Sequence, residues 1–273
     1  MIDFQISVGY HLTDRCNLKC VSCNNFCPLV PDDAVDKPIE QIKSDLLLLS
    51  KFRDHIKLLS LMGGEPTLRK DLGEIVEFAR TLFPFSIINI ATNGILLNRL
   101  IEIKDIIKRN RIVVAVTQYP FAENAQEIYD TLKRELGDSF EDMCEGSGLV
   151  KDMQYQMLSN KFVNSTDEDI QNCRMREACN QLMNGRLYMC NCTADFKFLK
   201  DYFKDGIKIQ TDGTEYVDLN TCTEEDIFDL NYTRIPLICR YCKESIRKVY
   251  PYDFEYVDWR RSNKTIDEWV ETE

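Results

Sequence analysis

The residues able to do chemistry in this chain are its cysteines, twelve among 273 residues and unevenly spread. Four fall in the stretch TDRCNLKCVSCNNFCP, at Cys16, Cys20, Cys23 and Cys27. Thiols this close can form a disulfide knot, ligate zinc, or ligate an iron–sulfur cluster. A structural zinc site closes with four ligands. The triplet Cys16, Cys20, Cys23 is C-x3-C-x2-C, which suits a four-iron cluster with one iron left open. Cys27 as a fourth ligand would close the cluster, but bacterial ferredoxin loops begin C-x2-C. Alone, the loop leaves zinc and both kinds of cluster open.

Two further motifs follow apolar runs. After IKLLSLM (56–62) comes GGEP, Gly63 to Pro66. Adjacent glycines allow close approach to the main chain, and the Glu65 carboxylate can bind an ammonium group. After SIINIA (86–91) comes TNG, where Thr92 and Asn93 offer hydrogen bonds to a ribose or carboxylate. Each motif alone reads as a tight turn. Together with the cysteine loop, at the C-terminal ends of successive strands, they occupy the edge where parallel α/β sheets bind ligands. The second half carries Cys173, Cys179, Cys190, Cys192, Cys222, Cys239 and Cys242. A two-residue turn at Asn184-Gly185 pairs Met183 with Arg186, and so Cys179 with Cys190. With the CRYC at 239–242, that arrangement is also compatible with a zinc ribbon.

The elements that must position these groups alternate. Strands are expected at 4–12, 56–62, 86–91 and 111–117, and helices at 38–52, 71–83, 95–108 and 122–136. The strands are near-continuous apolar runs, as in a parallel sheet covered by helices. A closed eight-unit barrel needs about 250 residues, and here the pattern fades near residue 160. The polar stretch 160–172 reads as a loop and boundary. Asp212-Gly213 suggests a second hairpin, and 265–273 a short helix. Composition fits a folded soluble protein: 44% hydrophobic, 29% charged, net charge −11. The acidic balance argues against nucleic-acid binding. No run reaches a membrane span, and the start lacks the basic and apolar regions of a secretory signal. A cytoplasmic chain is therefore expected, where thiols stay reduced and cysteines serve metals.

C-x3-C-x2-C on the first loop and GGEP on the second resemble the radical S-adenosylmethionine (SAM) superfamily, over roughly residues 5 to 160. The resemblance implies an α/β fold: a partial (β/α)6 TIM-like barrel at 1–165, then a small hairpin-containing auxiliary-cluster domain at 166–245 and a tail at 246–273. Cys16, Cys20 and Cys23 would hold a 4Fe-4S cluster whose open iron chelates SAM. Gly63, Gly64, Glu65 and Pro66 would bind the methionine end, with Thr92 and Asn93 near the ribose or carboxylate. Reductive cleavage would give a 5′-deoxyadenosyl radical that takes hydrogen from the substrate. Many members carry an aromatic residue just before the third cysteine. Here Ser22 stands there, so adenine contact must come from elsewhere.

Cys173, Gly185 and Cys190, followed by CRYC, resemble the twitch form of the SPASM extension, which holds one auxiliary 4Fe-4S cluster. Cys190, Cys239 and Cys242 would be ligands, with Cys173 or Cys179 the fourth. Cys27, Cys144, Cys192 and Cys222 would not ligate. The implied partners are a small-molecule substrate and a flavodoxin or ferredoxin-like electron donor. The compact chain resembles the aminocyclitol dehydrogenase type, favouring oxidation or rearrangement of a sugar-like or nucleotide-linked substrate. The alternatives are a peptide maturase, for which the roughly fifteen residues before Cys16 are too few to make a leader-binding domain, and a non-catalytic zinc or iron–sulfur scaffold. No catalytic base is assigned. His11 ends the first strand and could approach the site, His55 reads as structural, and Tyr10, Asp14 and Arg15 flank the loop.

Overall fold

Alternating burial along the strands sets the architecture. The computed structural model describes residues 3–117, 125–142, 157–243 and 262–272; Cys144 lies outside them. β1 (Ile6–Thr13), β2 (Ile56–Gly63), β3 (Ile87–Thr92), β4 (Val113–Val116) and β5 (Phe140–Asp142) pair in parallel, each with the next. One face of these strands carries Val8, Tyr10, Leu12, Leu59, Leu61, Ile88, Ile90, Val114 and Val116, all buried. That face forms one core with α1 (Ile39–Ser50), α2 (Leu72–Leu82), α3 (Leu97–Glu102), α4 (Lys104–Arg109) and α5 (Ala125–Leu136). Residues between them in β2 and β3, such as Ser60, Met62, Asn89 and Ala91, remain half-exposed. The sequence pattern implies helices covering the sheet, but α1 to α5 all lie on one face, and at β2 and β3 the opposite face is the inside of an open partial barrel.

The second half continues the same sheet. After β6 (Leu158–Ser159), α6 (Asp167–Gln171) and α7 (Met175–Ala178), strand β7 (Asn180–Met183) pairs in parallel with β1, setting Gln181 beside Gly9. Asn184 and Gly185 both adopt positive φ, 50° and 72°, as a two-residue hairpin turn requires. The turn joins β7 to β8 (Arg186–Tyr188) in the expected register, Met183 opposite Arg186. Then come α8 (Asn191–Phe203), β9 (Tyr216–Asp218), α9 (Glu224–Tyr232) and β10 (Val270–Glu271). The eight-stranded sheet runs β5-β4-β3-β2-β1-β7-β8-β9, mostly parallel, with antiparallel pairing at β7–β8 and β8–β9. A second core joins Phe26 and Leu29, just past the cysteine loop, to Phe196, Ile238, Tyr241 and Trp269.

Several local expectations are corrected. The helix at 95–108 is two helices, interrupted at Ile103, where φ is −109° and ψ 15°. The stretch 160–172 contains α6, started by a Thr166–Asp169 capping box. No hairpin forms at Asp212-Gly213: the Asp212 carboxylate accepts from Thr214 N and Oγ1, closing a local turn, and β9 pairs with β8 instead. The tail is a 3-10 turn (Ile266–Glu268) followed by β10, which pairs with β6. Helices α8 and α9 and strand β5 carry no expectation from the sequence.

Candidate functional site

The cysteine loop leaves the C-terminal end of β1, and the GGEP loop lies directly against it. Gly64 N donates to Thr13 O at 2.8 Å, and Glu65 N to Arg15 O at 2.9 Å. A Cβ on Gly64 would stand 2.0 Å from Arg15 O, and one on Gly63 2.2 Å from Thr13 O. The glycines are therefore required by the chain's own loop, whatever ligand also approaches. Asn25 Nδ2 donates to Gly63 O at 2.8 Å, and Arg15 pairs with Asp36.

Glu65 is buried and its carboxylate is saturated from within. Oε1 accepts from Thr67 N (3.0 Å), Thr67 Oγ1 (2.5 Å) and Thr92 Oγ1 (2.7 Å), and Oε2 from Asn93 N (2.9 Å). Burial pushes its pKa up, and these donors oppose the shift. Asn93 Nδ2 in turn donates to Asn17 Oδ1 at 2.8 Å. The three ligand-edge loops thus form one hydrogen-bonded unit. Pro66 begins the short 3-10 turn that follows Glu65.

Cys16, Cys20 and Cys23 come together at this edge. Burial pushes the Cys16 thiol up to about 12, and the charges of Cys23 and Glu65 add to it. Burial raises Cys20 likewise, with Cys23 and Cys16 contributing. Burial and the neighbouring sulfurs thus make Cys16 and Cys20 resist ionising. A bound cation centre removes that cost and deprotonates thiols outright, so this donor set fits an iron–sulfur cluster. Cys27 is buried, and its hydrogen bond to Cys23 lowers the Cys23 pKa while raising its own.

A second cavity is lined by Cys173, Cys190, Cys192, Cys239 and Cys242, with Met157, Met189 and Ile238. Burial raises Cys190 to about 12, with Cys173 and Cys179 contributing. Cys239 rises for the same reason, with Cys190 and Cys173 adding. Cys190 sits at the N-cap of α8, where the helix dipole favours a thiolate. Cys179 interacts with Cys190 electrostatically but does not line the cavity. Arg176, buried beside the sulfurs, donates to Ile170 O, Leu230 O and Arg234 O. Here too the donor set fits a cluster. Cys222 packs against the main core, away from this cavity.

Between the two cysteine groups the inner face of the sheet is polar. His11 Nδ1 lies 3.4 Å from Asp195 Oδ2 and 3.8 Å from Asp14 Oδ1. Asp195, on α8, is fully buried and its pKa is raised to about 6 by that burial, with His11, Lys37 and Lys197 opposing and Asp14 adding. Tyr10 points to the other face, where its hydroxyl donates to Asp45 Oδ2 at 2.8 Å. His55 stacks on Phe4 and contacts Phe4 O and Glu224, the structural role expected of it.

A sequence profile of the Radical SAM superfamily matches residues 10–157. The chain belongs to the radical SAM superfamily. It is thus a radical SAM enzyme, and its cofactors are a 4Fe-4S cluster and SAM. Curated radical SAM relatives are similar over part of their length. A GTP 3',8-cyclase of Lactiplantibacillus plantarum is 36% identical over 99 residues, covering 34% of this chain and 28% of that protein. A probable GTP 3',8-cyclase of Saccharolobus solfataricus is 31% identical over 155 residues, 56% of this chain and 46% of that protein. An Fe-coproporphyrin III synthase of Methanosarcina barkeri is 37% identical over 92 residues, 34% and 22%. The chain thus spans less than half the length of these relatives. A solved structure of BtrN in complex with AdoMet and 2-DOIA shares the fold, with TM-score 0.51 and 18% identity, covering 75% of this chain and 82% of that one. Among the described residues no helix is long and apolar enough to cross a membrane.

Some residues around these two cysteine groups had no motif to announce them. Asp195 and Asn191 lie on α8, whose apolar period at Cys192, Phe196, Leu199 and Phe203 was a legible helical signal. Gln181 and Arg176 acquire their neighbours only through the β7–β1 pairing and the packing of α7 against α9.

Proposed function

We propose that this enzyme generates a 5′-deoxyadenosyl radical and directs it at a small polar substrate, sugar-like or nucleotide-linked, for oxidation or rearrangement. When bound, the cluster and SAM supply a one-electron C–S cleavage that leaves the radical. Cys16, Cys20 and Cys23 would hold that cluster. The Gly63–Gly64–Glu65–Pro66 loop, tied by Glu65 to Thr92 and Asn93, shapes the SAM pocket. The observation that carries the reading is the joining of those three loops at the mouth of an open barrel whose inner face is polar.

In this reading residues 1–165 form the radical-generating barrel. Residues 166–245 carry an auxiliary 4Fe-4S cluster on Cys190, Cys239, Cys242 and Cys173. Cys173 is preferred to Cys179 because it lines the cavity with the other three. The remaining 246–273 is a tail, and a flavodoxin or ferredoxin-like protein supplies electrons. A second reading, a nucleotide substrate, is favoured by the named activity of the GTP 3',8-cyclase relatives. The Asp14 and Asp195 carboxylates on the inner face weigh against a phosphate at that point.

The test is anaerobic reconstitution followed by iron analysis and SAM cleavage under a strong reductant. Two four-iron clusters give about eight irons per chain. A Cys16→Ala, Cys20→Ala, Cys23→Ala variant should retain about four irons and lose SAM cleavage. Zinc in place of iron, or cleavage surviving in the variant, contradicts the reading.

A further inference from the structure

The inner face holds an unusual concentration of buried polar atoms without partners. His11 is 2% exposed, and its Nε2 has no hydrogen-bond partner among the described residues. Asp195 Oδ1, Gln181 Oε1 and Asn191 Oδ1 are in the same state, while Asp195 Oδ2 and Asp14 Oδ1 face His11 Nδ1 at 3.4 and 3.8 Å. Each such atom costs stability unless something completes it. They share a location. His11 stands opposite Met62 on β2, and Gln181 lies over Gly9, with its Nε2 3.8 Å from Met62 Sδ. Asn191 and Asp195 are one turn apart on α8, and Asn191 Nδ2 reaches Asn24 O and Asn25 Oδ1 on the cysteine loop.

The chemistry of these atoms defines what they can receive. With Nδ1 facing two carboxylates, the His11 ring keeps its proton on Nδ1 and presents Nε2 as an acceptor. The carboxylates of Asp195 and Asp14 and the amide oxygens of Gln181 and Asn191 are acceptors as well. The atoms left without partners are thus acceptors, although Lys37 and Lys197 lie near the two carboxylates, and a ligand that completes them brings donors.

We infer that the inner face of the barrel is a subsite for a hydroxyl- or ammonium-bearing group of the substrate, which donates to His11 Nε2 while Asp195 fixes the ring from the other side. The inference rests on the reading of a small polar substrate and narrows it to polyols and amino-polyols, against phosphates. Lys37 belongs to the frame: its Nζ donates to His11 O at 2.8 Å and holds the main chain, not the ligand. Asp195 is a positioning residue.

The chain has only two histidines, His11 and His55, so histidine-15N labelling of the holoprotein gives two imidazoles to follow by long-range 1H–15N correlation. His55 serves as the internal control. At pH 8 the His11 ring should be the Nδ1–H tautomer. Addition of myo-inositol or D-glucosamine should shift Nε2 and leave His55 unmoved, and inorganic pyrophosphate should shift neither. In Asp195→Asn the tautomer preference and the response should both be lost, while unchanged His55 signals report an intact fold.

An Nε2–H tautomer in the wild type overturns the inference. So does a response to pyrophosphate alone, or silence towards all three probes. Broadening of the His11 signals by Mn2+ that Asp195→Asn abolishes would overturn it in favour of a cation site. None of these readouts requires SAM cleavage. A protein that cleaves SAM with a silent His11 loses only the subsite, and one with the expected His11 behaviour but no cleavage loses only the radical reading.

Discussion

Asp195 shows what a single side chain contributes and costs. Burial raises its pKa from 3.8 to about 6 despite His11, Lys37 and Lys197 nearby, with Asp14 adding to the rise. Between those values the folded chain binds more protons than the unfolded one, so stability falls as pH rises. The contribution is fully present below the unfolded pKa and is lost as pH passes the folded one. Asp195→Asn should therefore stabilise the protein at pH 8, by up to about 3 kcal/mol. The gain should shrink to roughly half by pH 5. Denaturant melts of both proteins at the two pH values check this; a variant no more stable at pH 8 contradicts it. Stability given up at one buried carboxylate is the pattern expected of a binding group.

At the scale of elements, the segment that ends at β10 acts as a clasp on the cysteine loop. Ser262 N donates to Lys19 O at 2.7 Å, the Ser22 hydroxyl bonds Glu268 O, and Trp269 Nε1 donates to Cys23 O at 3.1 Å. Trp269 is also buried in the second core, near Phe203. Ser22, just before the third cysteine of the loop, thus serves the clasp. Trp269→Ala should cost about 3–5 kcal/mol and loosen the loop. Urea midpoints and iron retention after gel filtration measure the two effects. A variant as stable as the wild type would show that the clasp is incidental.

Across the whole molecule, the pairing of β7 with β1 makes one sheet of both cysteine regions, and the second core ties the first cysteine loop to the second cysteine group. Elements that share a sheet and a core lose each other's support when either opens. Calorimetry on the holoprotein should show a single unfolding transition, and two separated transitions would contradict that coupling. The same continuity places the acceptor-rich inner face between the two cysteine groups.

The sequence by itself determined the local features: the cysteine spacing, the GGEP turn, the Asn184-Gly185 hairpin and the apolar periods of β1 to β4. Each depends on residues close along the chain, where glycine's freedom or a two-residue turn leaves few alternatives. Only the tertiary structure decided that Gly64 is demanded by Arg15 O, that Glu65 is spent on Thr67, Thr92 and Asn93, and that Asp195 meets His11 184 residues away. It also decided that the face opposite α1 to α5 is polar, half-exposed at β2 and β3 and covered at His11 by Asp195 of α8. Such contacts follow from which strand lies beside which, and no local pattern encodes that choice. Parallel neighbours such as β1 and β7 are joined through long intervening segments, and their register is fixed by packing of the whole sheet.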